Sequence, residues 1–275
     1  VSVLYVHRDG TPASTSVRHY PGGEFLIDVE DPQRGDAFAF VRTATPDDLV
    51  ELAVWANTVD RLGGWPIGLV PYLPGARADH AEYDAGYDAA AYARLLRAAG
   101  LAELVCVDPH SPVMPSLVDR CLVVAAADVA ADVFGHLPDL AGVIAPDKGA
   151  TDRAAEVAMR LRLPVYQALK HRDFDSGKLS GFTCERLPEE GSFLVVDDIC
   201  DGGGTFRGLA EAIGVGRDRL HLWVTHGIFS GTAARLANYY STVTTTDSHE
   251  GHHNLPKARV IELLPYMLAR IQGAP

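Results

Sequence analysis

The chain has 275 residues, enough for one large domain or two of common size, and 47% of them are apolar, enough to build a core. Its 24 basic and 36 acidic side chains leave a formal charge of −12, which argues against a broad nucleic-acid-binding surface but not against a local basic pocket for phosphates near Lys170. No apolar run approaches the roughly 20 residues of a membrane span, and residues 1–20 lack the basic head and apolar stretch of a signal peptide, so a cytoplasmic protein with no membrane partner is expected.

The predicted elements alternate. Strands are expected at 2–6, 24–29 and 37–41. A helix follows over 47–62, where Leu49, Leu52, Ala53, Ala56 and Val59 recur at helical spacing. A strand at 67–72 ends in Pro74-Gly75. An Ala-rich helix over 87–99 is stopped by Gly100. Strands at 104–107 and 121–124 follow. Cys106 and Cys121 fall in these apolar runs and read as small buried hydrophobes; none of the 4 cysteines has C-x-x-C spacing, and no disulfide framework is expected.

The second half repeats the rhythm. It has a strand at 140–144, a helix at 151–161, and strands at 165–168 and 193–196. A helix at 205–213, a strand at 220–225, a helical stretch at 232–237, a strand at 242–246 and a final helix at 263–271 complete it. Alternation of this kind implies crossover units and mainly parallel sheets flanked by helices, an α/β protein. A split near Pro138 gives domains of 1–137 and 138–255, with 256–275 expected to pack on the first. The polar stretch 171–191 reads as a long loop, of the kind that is usually either functional or mobile.

The chemistry concentrates after the strand at 193–196. Phe193-Leu194-Val195-Val196 is apolar throughout, as a central parallel strand should be. Asp197 and Asp198 follow at its carboxyl end, where open α/β sheets bind ligands. Asp201-Gly202-Gly203-Gly204-Thr205 then opens a helix. Glycines let backbone N–H groups close on an anion, the helix start adds positive potential, and Thr205 is expected to cap it. The acids suit the hydroxyls of a ribose or a hydrated divalent cation, not a phosphate. No Lys follows the glycines, so this is not a Walker loop, and the acids precede the glycines, so it is not G-x-G-x-x-G.

This stretch resembles the phosphoribosyl-diphosphate motif of type I phosphoribosyltransferases and of ribose-phosphate diphosphokinases, and most of the chain resembles the second family. Arg18–Glu24 is similar to its R-F-x-D-G-E segment, and Asp47–Leu52 to N-D-x-L-M-E-L. Val70-Pro71-Tyr72 with Ala76–Asp79 is similar to I-P-Y and A-R-Q-D. Val107–His110 is similar to V-D-L-H, Ala145–Gly149 to S-P-D-x-G, and Lys170–Asp173 to K-R-R-D. Val224–Gly231 is similar to A-T-H-G-V-L-S-G, and Thr245–Ser248 to V-T-D-T. The resemblance implies two phosphoribosyltransferase-like domains and a homo-oligomer, dimer or hexamer. It implies transfer of diphosphate from Mg-ATP to ribose 5-phosphate. It also implies roles for the matched residues: His110 and Asp147 for Mg²⁺, and Lys170 and Arg172 for catalysis. Tyr20, Glu24, Arg77, Asp79 and His110 would meet ATP. Asp197, Asp198 and Asp201–Thr205 would hold the sugar and its phosphate.

Each residue also has a plainer account. His110 suits a turn, Asp147 a helix cap, and Lys170 with Arg172 a solvated basic cluster. His249, His252 and His253 read as an exposed loop, and Tyr83, Tyr87 and Tyr92 as helix packing. Three departures from the family's pattern stand out. Gly22 replaces Asp and Tyr20 replaces Phe in the early segment, which in the family reaches a neighbouring subunit's adenine. Ala78-Asp79-His80 replaces Q-D-R, and the stretch 81–88, which bears on regulation, is short and acidic. The loop is D-G-G-G-T in place of D-T-A-G-T, which opens space for a larger 5′ group such as that of ADP-ribose. A phosphoribosyltransferase and a catalytically inactive regulatory homologue are the other classes in play.

Overall fold

The computed structural model describes residues 3–29, 35–79, 89–172 and 179–273; the side chains of 171, 172, 179 and 180 lie outside that description, as do the acidic stretch 81–88 with Tyr83 and Tyr87. Contacts divide the chain into a first unit, Val1–Val124 with Glu262–Pro275, and a second, Ala125–Ile261.

The first unit is built on β1 (Val3–Val6), β2 (Thr15–His19), β3 (Phe25–Val29), β4 (Asp36–Val41), α1 (Pro46–Arg61), β5 (Trp65–Leu69), α2 (Ala89–Ala98), β6 (Glu103–Val107), α3 (Val113–Leu117) and β7 (Cys121–Val124). Its sheet runs β1-β4-β5-β6-β7, parallel except for β1. Thr45 starts α1 with a reciprocal capping box. Its Oγ1 accepts from the Asp48 N–H, and the Asp48 carboxylate accepts from the Thr45 N–H. Leu49, Leu52, Trp55, Ala56 and Val59 then face the core, as the helical spacing requires. The strand expected at 24–29 does not join this sheet. It pairs with β2, which went unpredicted, as a separate antiparallel hairpin.

The second unit holds α4 (Ala126–Phe134), β8 (Leu140–Ala145), α5 (Thr151–Leu161), β9 (Val165–Arg172), β10 (Leu179–Cys184), β11 (Ser192–Cys200), α6 (Gly204–Ile213), β12 (Leu220–Gly227), β13 (Thr242–Thr246) and β14 (Arg259–Ile261). Its sheet order is β10-β9-β8-β11-β12-β13-β14, parallel except for β10. The last helix, α7 (Leu264–Ile271), returns to the first unit, where Arg270 Nε donates to Val123 O at 3.1 Å. The division at Val124 lies upstream of the 137/138 boundary expected from Pro138, because α4 packs against α5.

Two expectations are corrected here. The stretch 171–191 is not all loop: β9 runs on to Arg172, and β10 returns beside it from Leu179 to Cys184, with Phe182 buried. The strand expected at 193–196 extends to Cys200, since its pairing with β12 continues to Cys200 opposite Gly227. Asp197 and Asp198 therefore stand inside the strand and not beyond it.

Candidate functional site

One strand carries both core and chemistry. Phe193 to Val196 are fully buried between β8 and β12, as a central parallel strand demands. Asp198 is buried too, and its N–H donates to Asp197 Oδ1 at 2.9 Å, while the Ile199 N–H donates to Asp198 Oδ1 at 2.7 Å. Arg153, in the first turn of α5, lies 3.6 Å from Asp197 Oδ1 and 3.2 Å from Asp198 Oδ2. Burial, and next the Asp198 charge, push the Asp197 carboxyl well above its usual range; Arg153 pulls the other way. Arg153 was missed in the sequence. Its one signal was a cation at a helix start, where the macrodipole disfavours it.

The loop beyond is held from behind. Cys200 O accepts from the N–H groups of Ile228 and Phe229 at 3.0 Å each, and Asp201 O accepts from Ser230 N–H at 3.1 Å. The Ser230 hydroxyl also donates to Asp201 Oδ1. Gly203 has φ +75, and a Cβ there would sit 3.1 Å from the Leu236 side chain, so glycine is required. At Gly202 and Gly204 a Cβ would meet nothing within 4 Å, so that side of the loop is open. Burial, then the Asp197 and Asp201 charges, push the Cys200 thiol up to about 12, which keeps it protonated and non-nucleophilic.

Helix α6 starts at Gly204 with Gly203 as its cap residue and no side-chain cap. Thr205, expected as the cap, lies instead within the first turn, and its Oγ1 accepts from Lys170 Nζ at 2.9 Å. The fold thus joins two segments 35 residues apart in the chain: the cation on β9 and the hydroxyl of the glycine loop. Helix-start amides beside an ammonium form an arrangement suited to a phosphate.

The matched segments at 224–231 and 245–248 form the floor of this region. Thr225 O accepts from Thr246 Oγ1 at 2.6 Å and from Ser248 Oγ at 3.3 Å, and buried His226 hydrogen-bonds Ser248 Oγ at 2.8 Å. His249, expected in an exposed loop, is half-buried: its Nδ1 accepts from Gly251 N–H at 2.9 Å and caps the turn at 250–254. His253 is exposed and pairs with Glu250.

The other candidates sit on turns. Asp147 Oδ1 accepts from the N–H groups of Gly149 and Ala150 at 3.0 and 3.3 Å, which makes it a cap through one oxygen. In the first unit, His110 is exposed just past β6, and both Asp108 and His110 take left-handed backbone, φ 43 and 30. Tyr20 is 50% exposed at the tip of the β2–β3 hairpin, which closes through Tyr20 N–H to Glu24 O at 2.9 Å. Arg77 is exposed and Asp79 half-buried on the turn after Gly75, whose Cα packs against Tyr92. Arg172 ends β9, and its side chain is outside the described residues. Among the described residues no group of three or more His, Cys, Asp or Glu is arranged to hold a metal.

No family model matches the chain. It is 29% identical over 263 residues to a ribose-phosphate pyrophosphokinase of Cereibacter sphaeroides, covering 90% of this chain and 78% of that one. A ribose-phosphate pyrophosphokinase of Listeria ivanovii is 28% identical over 238 residues, covering 80% and 72%. Among solved structures, the phosphoribosylpyrophosphate synthetase from Mycobacterium smegmatis superposes with a TM-score of 0.78 at 21% identity, covering 96% of this chain and 91% of that one. The structural likeness establishes the fold; the sequence kinship reaches nearly end to end.

Proposed function

We propose that this chain, a divergent relative of the ribose-phosphate pyrophosphokinases, transfers the β,γ-diphosphoryl group of Mg-ATP to the anomeric hydroxyl of ribose 5-phosphate and releases AMP. The observation that carries this proposal is the 2.9 Å bond from Lys170 Nζ to Thr205 Oγ1. It supports the reading because it brings an ammonium against a loop suited to a sugar phosphate. A phosphoribosyltransferase needs the loop but not that cation.

In this proposal the 5′ phosphate takes the amides of 202–204 and the Thr205 hydroxyl, and Asp197 and Asp198 accept from the ribose hydroxyls. The anomeric oxygen then attacks the β-phosphorus in line, and the α–β bridging oxygen leaves with AMP. Lys170 and Arg172 stabilise the charge that grows on that oxygen. Tyr20, Glu24, Arg77, Asp79 and His110 hold ATP. Mg²⁺ bound with the nucleotide would supply neutralisation of phosphate charge, and His110 and Asp147 are the residues that would hold it. The Asp147 carboxylate suits Mg²⁺, which takes oxygen ligands, keeps several waters and needs few protein groups. The Asp147 caps occupy only Oδ1. The enzyme is expected to work in the cytoplasm as a homo-oligomer; among the described residues no helix is long and apolar enough to cross a membrane.

A second acceptor in the same chemistry, ADP-ribose, is compatible with the absence of any neighbour within 4 Å of a Cβ at Gly202 and Gly204. Incubation with ATP, Mg²⁺ and each sugar separates the two by AMP release and product mass. AMP is expected with ribose 5-phosphate. No AMP with either acceptor overturns the proposal, and base-dependent diphosphate release would indicate a phosphoribosyltransferase instead.

A further inference from the structure

We propose that Arg153 is a positioning residue for sugar recognition: it fixes the Asp197 and Asp198 carboxylates in the arrangement that together reads two hydroxyls of the ribose. This inference rests on the sugar-phosphate reading of the loop and deepens it. Its basis is a three-residue cluster in which Arg153, outside every matched motif, meets the two acids of the matched loop. Two different terminal nitrogens of one guanidinium reach two carboxylates, at 3.6 and 3.2 Å. The side chains are 14% exposed for Arg153, 15% for Asp197 and 6% for Asp198.

Adjacent carboxylates with so little water repel one another strongly, and each resists ionisation unless a cation is near. Burial together with Asp198 does raise the Asp197 proton affinity, and Arg153 opposes that. Its location is against local preference, because a cation in the first turn of α5 faces the positive end of the helix. The two acids supply the compensation. Consecutive strand residues ordinarily point to opposite faces, yet here a single fork touches both. The backbone N–H bonds of Asp198 and Ile199 hold one oxygen of each acid. Arg153 and the strand thus fix the direction of both carboxylates, in the arrangement proposed to read a diol. A lysine ammonium is a point charge and cannot reproduce a two-pronged grip.

The test compares the unmodified protein, R153K and R153Q. It reads KM for ribose 5-phosphate, KM for ATP, kcat and the calorimetric affinity for ribose 5-phosphate, with the thermal transition as the check on folding. R153Q is expected to raise KM and weaken binding of the sugar roughly 10- to 100-fold, about the effect of leaving a buried carboxylate pair without its cation. R153K is expected to recover part of that loss, with KM for ATP and kcat at saturating sugar little changed. Should R153Q not fold, R153K decides, since it keeps a cation in the cluster and loses only the fork. Equal sugar affinity in R153K and the unmodified protein overturns the inference, and so does a parallel rise in KM for ATP. An unmodified protein that binds ribose 5-phosphate without forming AMP defeats the diphosphokinase proposal alone, and the binding series still tests Arg153.

Discussion

Two strand ends carry the candidate residues, and their surroundings differ. At the end of β11 the loop is tied from several sides: Asp197 and Asp198 by Arg153 from α5, Thr205 by Lys170 from β9, and Asp201 by Ser230 from the turn after β12. At the end of β6 the matched residues lie on turns, with His110 exposed on left-handed backbone. Arg77 and Tyr20 are likewise exposed, on a turn and a hairpin tip. The difference teaches that the proposed sugar-phosphate site is preorganised inside one unit, which would spare entropy on binding. Candidates for a nucleotide that brings its own metal and charge need only be presented.

The comparison breaks most visibly at Lys170. Lys170→Ala is expected to cut AMP formation by about 100-fold or more, as loss of a group stabilising transition-state charge does, while the thermal transition survives. Near-normal turnover would remove Lys170 from the mechanism. The glycine loop sharpens the contrast within a single turn. Gly203→Ala must hold φ +75 against Leu236 and should cost about 1–2 kcal/mol in denaturant unfolding. Gly202→Ala meets open space and should stay within about 0.5 kcal/mol, while both weaken sugar-phosphate affinity. Equal stability of the two variants would contradict the loop geometry.

In the first unit the expected effect is smaller and falls on ATP alone. Tyr20→Ala should leave stability within about 0.5 kcal/mol, since half the side chain is already exposed, and raise KM for ATP without touching KM for the sugar. A matching change in sugar KM would blur the division of labour.

The smallest effect concerns His221 on β12. It is buried, bonded to Thr242 Oγ1 at 2.9 Å, and burial holds its imidazole below the ordinary histidine range. The unfolded chain therefore binds this proton more readily than the folded one. Stability from this group is complete above the ordinary pKa of about 6.5 and is lost as pH falls. Thermal scans should show a steeper decline on acidification for the unmodified protein than for His221→Gln.

The sequence made the β11 region legible because a fully buried parallel strand, two acids and a glycine turn each leave a compositional mark. Helix α1 was legible from its spacing, though its cap, Thr45, lies just ahead of the periodic stretch. What stayed hidden depends on partners far along the chain. β11 runs on through Asp197 and Asp198 because β12 pairs with them, not because acids favour strands. β10 forms because β9 offers an edge. Arg153 looks like an ordinary surface residue of a helix until α5 is laid beside β11. Short β14 has too few residues for periodicity to show, and the hairpin strand β2 is exposed along much of its length, so no apolar run marks it.

Central to all of this is the bond made in the reaction. Ribose 5-phosphate labelled with ¹⁸O at the anomeric hydroxyl, incubated with Mg-ATP and followed by phosphorus NMR and mass spectrometry, reports it directly. Attack by the sugar on the β-phosphorus predicts label in the bridge between the anomeric carbon and the new diphosphate, with AMP unlabelled. Label in AMP, or none retained in the bridge, would contradict it.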